Sequence, residues 1–540
     1  MSAEKHKSPS YWRDALLMAV LCVGVLVLGI RDAIAEERAQ TLSTEARFDI
    51  WEYRIAGNTL LTTDRIEGAV SPYLGPQRLI GDVNEAAANL ERAYREAGYP
   101  TIYVDVPEQD VVGGIVELKV VEGRLDRVRI EGARYFTLSG IRNKMSSLQP
   151  GQALHVPTMQ KELAALNALS PDMKVVPVLK PGVTPGAVDL DLKVNDQRPL
   201  HGSIEINNYS SANTTDTRAS FALSYDNLWQ KQHSFGLQWQ VSPEATDEVN
   251  VLVGTYIAPW FDTNKRIAFY MVDSNSDVAS VGDINVIGDG RIYGVRYVIP
   301  LESDRSFVHS LSMGADYKDY SEIIRLDPEN KIATPIDYAT WTFQYNASAF
   351  SEKSQTQWTI GTTFGIRGVG NSDDEFFDKR YNARSNFVYL NASMNRTDFL
   401  PADWQLRTRF SGQIADSPLI NNEQFSAGGV HSVRGYYESQ TLGDNGVSGS
   451  LELRTPSFQK SVEKISNFRA LAFIEGAHLQ VKDALPDQED SFDIASVGLG
   501  LVLQAFEKLD VSLDWGYALK DSNSIERGDD RFNAGAEWKF

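Results

Sequence analysis

"VSLDWGYALK", Val511 to Lys520, is the stretch that decides how the larger part of this chain folds. Val511, Leu513, Trp515, Tyr517 and Leu519 fall on one side of an extended strand, and Ser512, Asp514, Gly516, Ala518 and Lys520 on the other. "SFGLQWQV", Ser234 to Val241, alternates in the same way, with Phe235, Leu237, Trp239 and Val241 opposite Ser234, Gly236, Gln238 and Gln240. This period-two pattern begins at Leu200 and runs to the last residue. Alternation alone fits either a sandwich, which buries its apolar face, or a barrel that turns it toward lipid.

Three features select the transmembrane barrel. The chain opens on a secretory leader and offers no cysteine beyond it. Aromatic residues recur near strand ends, where a barrel meets its two membrane interfaces. Finally, the chain stops on "RFNAGAEWKF", Arg531 to Phe540, which sets Phe532, Ala534, Ala536, Trp538 and Phe540 on one face. A last strand that ends in an aromatic resembles the targeting signal of bacterial outer-membrane barrels, carried here by Trp538 and Phe540. Sixteen alternating segments begin near Leu200, Arg218, Ser234, Glu248, Arg266, Asp289, Ser306, Tyr338, Ser354, Asn386, Asp403, Gly446, Arg469, Ser491, Lys508 and Arg531. The number is even, as bacterial single-chain barrels require.

The amino-terminal end sets the compartment. Lys5, Lys7 and Arg13 precede an apolar run from Ala15 to Ile30, and Ala33-Ile34-Ala35 supplies small residues for cleavage. The run is shorter than the roughly 20 residues of a membrane span. Residues 1–35 are therefore expected to be a signal peptide, with an uncleaved anchor as the alternative, and 36–47 a short amino-terminal segment. Cys22, the only cysteine, lies in the leader, so the mature chain would carry no disulfide or thiolate metal site. A formal net charge of −20 argues against a nucleic-acid partner. The mean hydropathy of −0.29 excludes only a helical membrane protein, because alternating strands average to mild values.

Residues 48–196 repeat themselves. "YRIAGNTLL", Tyr53 to Leu61, and "VRIEGARYF", Val128 to Phe136, each place a glycine after a strand, 75 residues apart. "VELKV", Val116 to Val120, and "LDLKV", Leu190 to Val194, close the two copies. Between them, Asp82 to Ala97 sets Ala86, Leu90, Ala93, Tyr94 and Ala97 on one helical face and ends at Gly98, while Thr158 is a candidate cap for a helix carrying Leu163, Leu166 and Leu169. Two α+β modules follow, 48–123 and 124–196, ahead of a barrel over 197–540; one α+β domain of about 150 residues is the alternative.

With the modules in the periplasm, each odd-to-even barrel connection is extracellular, and "HSVRGYYE" falls in the sixth, about 421–444. Gly428, Gly429 and Gly435 let this loop bend back on itself. Val433, Tyr436 and Tyr437 suit a hairpin tucked into the lumen better than an exposed tip. Arg434, inside a barrel, needs a carboxylate. Glu475, in "RALAFIEGAHLQV", is the candidate: it would be costly against lipid, and Phe473 and Ala477 share its face.

No phosphate loop, HExxH or GxSxG motif occurs. "DSNSD", Asp273 to Asp277, begins like a calcium loop but has Val278 where glycine belongs and Ile284 where a bidentate glutamate belongs. The histidines lack paired spacing. Neither a metal, a cofactor nor an enzymatic activity is expected.

Ile55-Ala56-Gly57-Asn58, "YREAGYP" (Tyr94 to Pro100) and "IVELKVVEG" (Ile115 to Gly123) resemble polypeptide-transport-associated (POTRA) domains, which bind extended polypeptide by adding a strand to a sheet edge. "EQFSAGGVHSVRGYYESQTLGDNGVSGSLELRTP", Glu423 to Pro456, is similar to the signature of two-partner secretion transporters of the hemolysin-activator type, within the superfamily of POTRA-plus-barrel outer-membrane proteins. "HGSIEINNYSSANTTDTRASFALSYDN", His201 to Asn227, resembles the start of that family's barrel.

The resemblance implies a translocator that captures an unfolded exported protein, encoded nearby, and passes it through the barrel, driven by the cargo folding outside. Other partners would be outer-membrane lipid and the barrel-assembly machinery, with the protein a monomer. An assembly factor of the insertase type, or a passive porin, are the competing readings. The resemblance also implies roles for Val433, Arg434, Gly435 and Tyr436 as the loop motif. Arg434 would contact the acid of a Phe-x-Asp-x-Gly strand motif, here Phe473-x-Glu475-x-Ala477 with two departures. Members commonly carry an amino-terminal plug helix. Only about a dozen residues precede Phe48 after the leader, so the plug is expected to be missing and loop 6 to be the main obstruction.

Overall fold

A computed structural model describes residues 47–540 except 184–185, 213, 262, 277, 282–283, 305, 322, 326–330, 370–371, 459–463 and 487. The leader, Cys22 and residues 36–46 lie outside the described residues, as does Asp277 of the calcium-like stretch. The chain divides into two compact units, Met1–Asp196 and Gln197–Phe540.

The first unit contains the repeat. Strand Glu52–Ala56 pairs in parallel with Ile115–Val121, which pairs antiparallel with Tyr103–Asp105; helices Thr63–Val70 and Ile80–Glu96 lie between them in sequence. The second copy follows the same order, with Arg124–Glu131 parallel to Ala187–Asp196, Met173–Pro181 antiparallel to it, and helices Leu138–Lys144 and Val156–Asn167 between. Each has its own core, built on Val83, Leu90, Tyr94 and Leu118 in one and on Leu125, Ile141, Leu166 and Leu190 in the other.

The repeated glycines do the same job twice. Gly57 and Gly132 have φ of +86° and +90°, and a Cβ on either would lie 2.4 Å from a carbonyl oxygen, of Val120 and of Val194 respectively. Only glycine admits both the left-handed turn and the close strand. Thr158 is not the cap of the second helix: that helix starts at Val156, His155 precedes it, and the Thr158 hydroxyl lies 2.6 Å from His155 Nδ1 inside the first turn.

The second unit is a closed antiparallel barrel of sixteen strands. In chain order these are β1 (Leu200–Asn207), β2 (Arg218–Leu228), β3 (His233–Val241), β4 (Asn250–Pro259), β5 (Arg266–Asn275), β6 (Gly290–Pro300), β7 (Phe307–Tyr320) and β8 (Ile336–Phe350). Then come β9 (Ser354–Gly365), β10 (Val388–Phe399), β11 (Gln405–Ala415), β12 (Asn445–Arg454), β13 (Ile465–Gln480), β14 (Ser491–Ala505), β15 (Leu509–Ala518) and β16 (Asp530–Lys539). Closure joins β16 to β1 from Gly535↔Asn207 to Lys539↔Ser203. The starting points agree with the sixteen read from alternation to within four residues.

The alternation has the physical meaning a bilayer gives it. Phe235, Leu237, Trp239, Leu513 and Tyr517 are exposed on the outer face, where lipid replaces water as the solvent. Asp514, Asn533, Ser450 and Glu475 are buried on the inner face. Connections from even to odd strands have six residues or fewer except for the ten between β12 and β13, and those from odd to even strands have eight to twenty-nine, which puts the long loops at the end opposite the one where the chain enters β1.

Candidate functional site

Loop 6, residues 416–444, folds back into the lumen. Phe425–Ala427 pairs with Thr441–Gly443 to form the root of a hairpin, and the tip between them descends along β13 to β15. One contact fixes how closely the tip approaches the wall. Gly435 has φ +99° and lies on Gly516 of β15, where a Cβ would come within 2.6 Å of the Gly435 nitrogen. The polar phase of "VSLDWGYALK" thus carries a gap into which the loop backbone fits.

That approach delivers Arg434, 4% exposed, to a cluster of acids. Its Nη2 donates to Glu475 Oε1 at 2.7 Å and to Glu452 Oε2 at 2.7 Å, and its Nη1 donates to Asp514 Oδ1 at 3.0 Å. Nε donates to both Glu475 oxygens, and the Arg434 backbone N–H donates to Glu475 Oε2 at 2.7 Å. The guanidinium lies over the Phe473 ring, 3.5 Å from its centroid. Glu475 also accepts from Arg409 Nη2 at 2.9 Å and from Ser450 Oγ at 2.8 Å, and Glu452 accepts from Arg454 Nε at 2.7 Å.

Three guanidiniums therefore balance three carboxylates. Burial opposes the charge of Arg434, but the hydrogen bonds to Glu475 and the charges of Glu475, Glu452 and Asp514 outweigh it and raise its pKa. A buried charge so fully paired is tolerated; removing one partner from such a cluster costs about 3–5 kcal/mol.

The neighbours of Arg434 serve as its fitting. Val433 and Tyr436 are fully buried against Ala477, Leu479, Ile494 and Ala518, and the Tyr436 hydroxyl donates to the Lys520 carbonyl at 2.7 Å. Ala477, on the lumen face two residues beyond Glu475, contributes its methyl to this packing. Trp538 and Phe540 belong elsewhere. Trp538 pairs in register with Leu509 and Ile204 on the neighbouring strands, and the Phe540 ring lies over Gly202, with which it exchanges two backbone hydrogen bonds.

The sequence singles out one acid where the structure has three. Glu452 in "LELR" and Asp514 in "SLDWG" both occupy the polar phase of their strands, the signal that selected Glu475, but their depth relative to the loop tip is a tertiary quantity. Two further anchors hold the loop root. Glu423 accepts from Lys318 Nζ at 2.5 Å, Tyr338 Oη at 2.6 Å and Tyr389 Oη at 3.0 Å. Asp444, with no exposed surface, receives Arg380 through both oxygens at 2.5 and 2.7 Å, and Arg380 also donates to the Leu419 carbonyl.

Arg380 reveals that loop 6 is not the main obstruction by itself. Loop 5, residues 366–387, also enters the lumen through the helix Asp373–Lys379, whose Ser372 and Glu375 form a capping box. Phe376 and Phe387 from this loop, both 1% exposed, join Leu419 and Ile420 of loop 6 and the inward-facing Val253, Val272, Ile292 and Tyr338 in an apolar core inside the barrel.

Comparison with known proteins agrees with this architecture. Residues 186–503 match the family described as haemolysin secretion/activation protein ShlB/FhaC/HecB, and residues 48–123 match the ShlB-type POTRA domain. The outer membrane transporter CdiB of Dickeya dadantii (strain 3937) is 21% identical over 473 residues, covering 80% of this chain and 76% of its own. The heme/hemopexin transporter protein HuxB of Haemophilus influenzae (strain 86-028NP) is 20% identical over 484 residues, covering 85% of this chain and 81% of its own. The solved structure of CdiB from Escherichia coli superposes with a TM-score of 0.63 at 19% identity, over 95% of this chain and 99% of that one, a likeness of fold. These relatives are transporters rather than enzymes. A POTRA domain, a closed sixteen-stranded barrel and a family match over more than half of its length together establish that the chain belongs to the haemolysin secretion/activation family of outer-membrane transporters, its amino-terminal modules standing in the periplasm.

Proposed function

We propose that this protein captures one unfolded exported partner in the periplasm and secretes it through its barrel, with loop 6 as the element that yields. The observation that carries this reading is the hairpin held inside the lumen by Arg434 on Glu475, Glu452 and Asp514. A translocator needs a seal that holds at rest and a route that opens for cargo, and a loop held by ion pairs rather than by the covalent wall can supply both. Val433, Gly435 and Tyr436 act as the fitting that seats the arginine; Phe473 and Ala477 shape its receptacle.

The modules 48–123 and 124–196 would present strand edges to the extended cargo, and the barrel from 197 onward would conduct it. Folding of the cargo outside supplies the directional bias without a nucleotide. Trp538 and Phe540 would be read by the barrel-assembly machinery during insertion into lipid, and a closed barrel of this kind works as a monomer. The partner is expected to be encoded beside this gene. Deleting the protein should trap that neighbour in the periplasm and restoring it should return the neighbour to the surface or medium; unchanged export in the deletion strain would overturn the reading.

A further inference from the structure

Beside the loop-6 cluster the barrel wall carries an arginine that the cluster does not use. β11 and β12 direct Arg407, Arg409 and Arg454 inward, and the last two have acidic partners in Glu475 and Glu452. Together with Arg434 they match the three carboxylates charge for charge. Arg407 is left over. Among the described residues it makes no hydrogen bond and no ion pair, and its guanidinium lines two adjoining cavities. One, of about 530 Å³, lies beneath the tip of loop 6; the other, of about 160 Å³, lies at the end of the lumen where β9 and β11 begin and β10 and β12 finish.

The smaller cavity has an unusual wall. Besides Arg407 and Arg454 it is lined by Gln355 and Gln357 of β9, by Asn395 and Thr397 of β10 and by Gln405, with neither a carboxylate nor an apolar side chain among them. Across the larger cavity stand Glu205 of β1 and Glu537 of β16. The acids thus line the larger cavity, Glu452 of β12 among them, while the smaller one holds only cations and neutral polar groups. Amide side chains carry both a donor and an acceptor, as does each peptide unit of an extended chain, and a guanidinium offers five donors to a carboxylate. Strands spaced about 4.8 Å apart make β9 to β12 about 14 Å wide, roughly four residues of extended polypeptide.

We propose that Arg407, with the amide strip of β9 and β10, forms a receiving site at the periplasmic mouth of the lumen for an acidic, extended segment of the polypeptide in transit. The chain carries a formal net charge of −20, so an acidic segment is repelled by most of the protein and attracted at this place. The lack of apolar lining lets the segment leave as easily as it arrives. The site rests on the translocator reading, since only a chain passing through would meet it.

The test uses the purified full-length protein in detergent and a fluorescein-labelled decaglutamate peptide, with decaglutamine as the uncharged probe. Decaglutamate should bind saturably, read by anisotropy, and weaken with added salt. Arg407→Gln should weaken binding by about tenfold, the loss of one charge-assisted hydrogen-bonded contact, and Arg407→Lys should retain most of the affinity. The variants should keep the heat-modifiable electrophoretic mobility of a folded barrel. Equal binding of decaglutamate to Arg407→Gln and to the unaltered protein would overturn the site, as would equal binding of decaglutamate and decaglutamine. Export of the natural partner by the unaltered protein is scored separately, so a failed site leaves a failed translocator reading distinguishable.

Discussion

Replacing Arg434 with alanine removes the group that gathers three wall carboxylates. Glu475 and Glu452, both 3% exposed, and Asp514, 7% exposed, would be left with Arg409 and Arg454 alone. The balanced cluster would then carry one uncompensated negative charge in a buried place. Removing one partner of a buried ion pair costs about 3–5 kcal/mol, and the contact over Phe473 is worth about another 1 kcal/mol. The loss falls on the docked loop, because undocking lets water reach the acids. A shift of about 4 kcal/mol changes the docked-to-free ratio nearly a thousandfold. Planar-bilayer recording should convert brief, small openings into long, large ones. Arg434→Lys should fall between, since one ammonium cannot engage Glu475 through two nitrogens while reaching Glu452 and Asp514. If Arg434→Ala gave a folded, heat-modifiable barrel with unchanged current traces, the claim that this cluster holds the seal would be wrong.

Arg380→Ala should free loop 5 from loop 6, because Asp444 would be left buried without its cation; cleavage by external trypsin after Lys379 or Arg384 should accelerate at least tenfold. Glu438, in the tip of loop 6, has its carboxyl pushed up to about 7 by burial, against the opposing hydrogen bond from Val430 N–H and the charges of Arg531 and Arg218. The docked loop therefore binds a proton that the free loop releases near the ordinary value of 4.5. Its contribution to docking is complete below about 4.5 and is lost as pH rises through about 7. Open probability should climb between pH 5 and 8, and Glu438→Gln should flatten that profile. In the modules, Gly57→Ala or Gly132→Ala forces a Cβ against a strand carbonyl at positive φ; urea unfolding of residues 47–196 should show a loss of about 1–3 kcal/mol. Phe540→Ala removes the ring packed over Gly202 and should lower the yield of heat-modifiable barrel, read by electrophoresis of outer membranes.

Much of this architecture is legible in the sequence. Period two marked each strand of the barrel because a wall between lipid and water must sort its side chains at every step. Glu475 was legible for the same reason, an acid in the polar phase opposite a loop arginine. Loop 5 was not. "DDEFFDK", Asp373 to Lys379, has five charged residues in seven and no strand alternation, and only the lumen, with Tyr338 and Leu419 in place, turns Phe376 into core. Asp444 and Glu423 were likewise silent, since loop residues carry no periodic signal.

By itself the sequence determined the strand count, the direction each side chain faces and the twin modules, because these follow from local periodicity and from glycines that tolerate no Cβ. Only the tertiary structure decided which charges meet. Strand tilt and barrel closure set the depth at which Glu452, Glu475 and Asp514 surround one guanidinium and at which Arg407, opposite Glu452 in the β11–β12 register, is left outside their ion pairs, and depth around a closed wall is fixed by register between strands rather than by spacing along the chain.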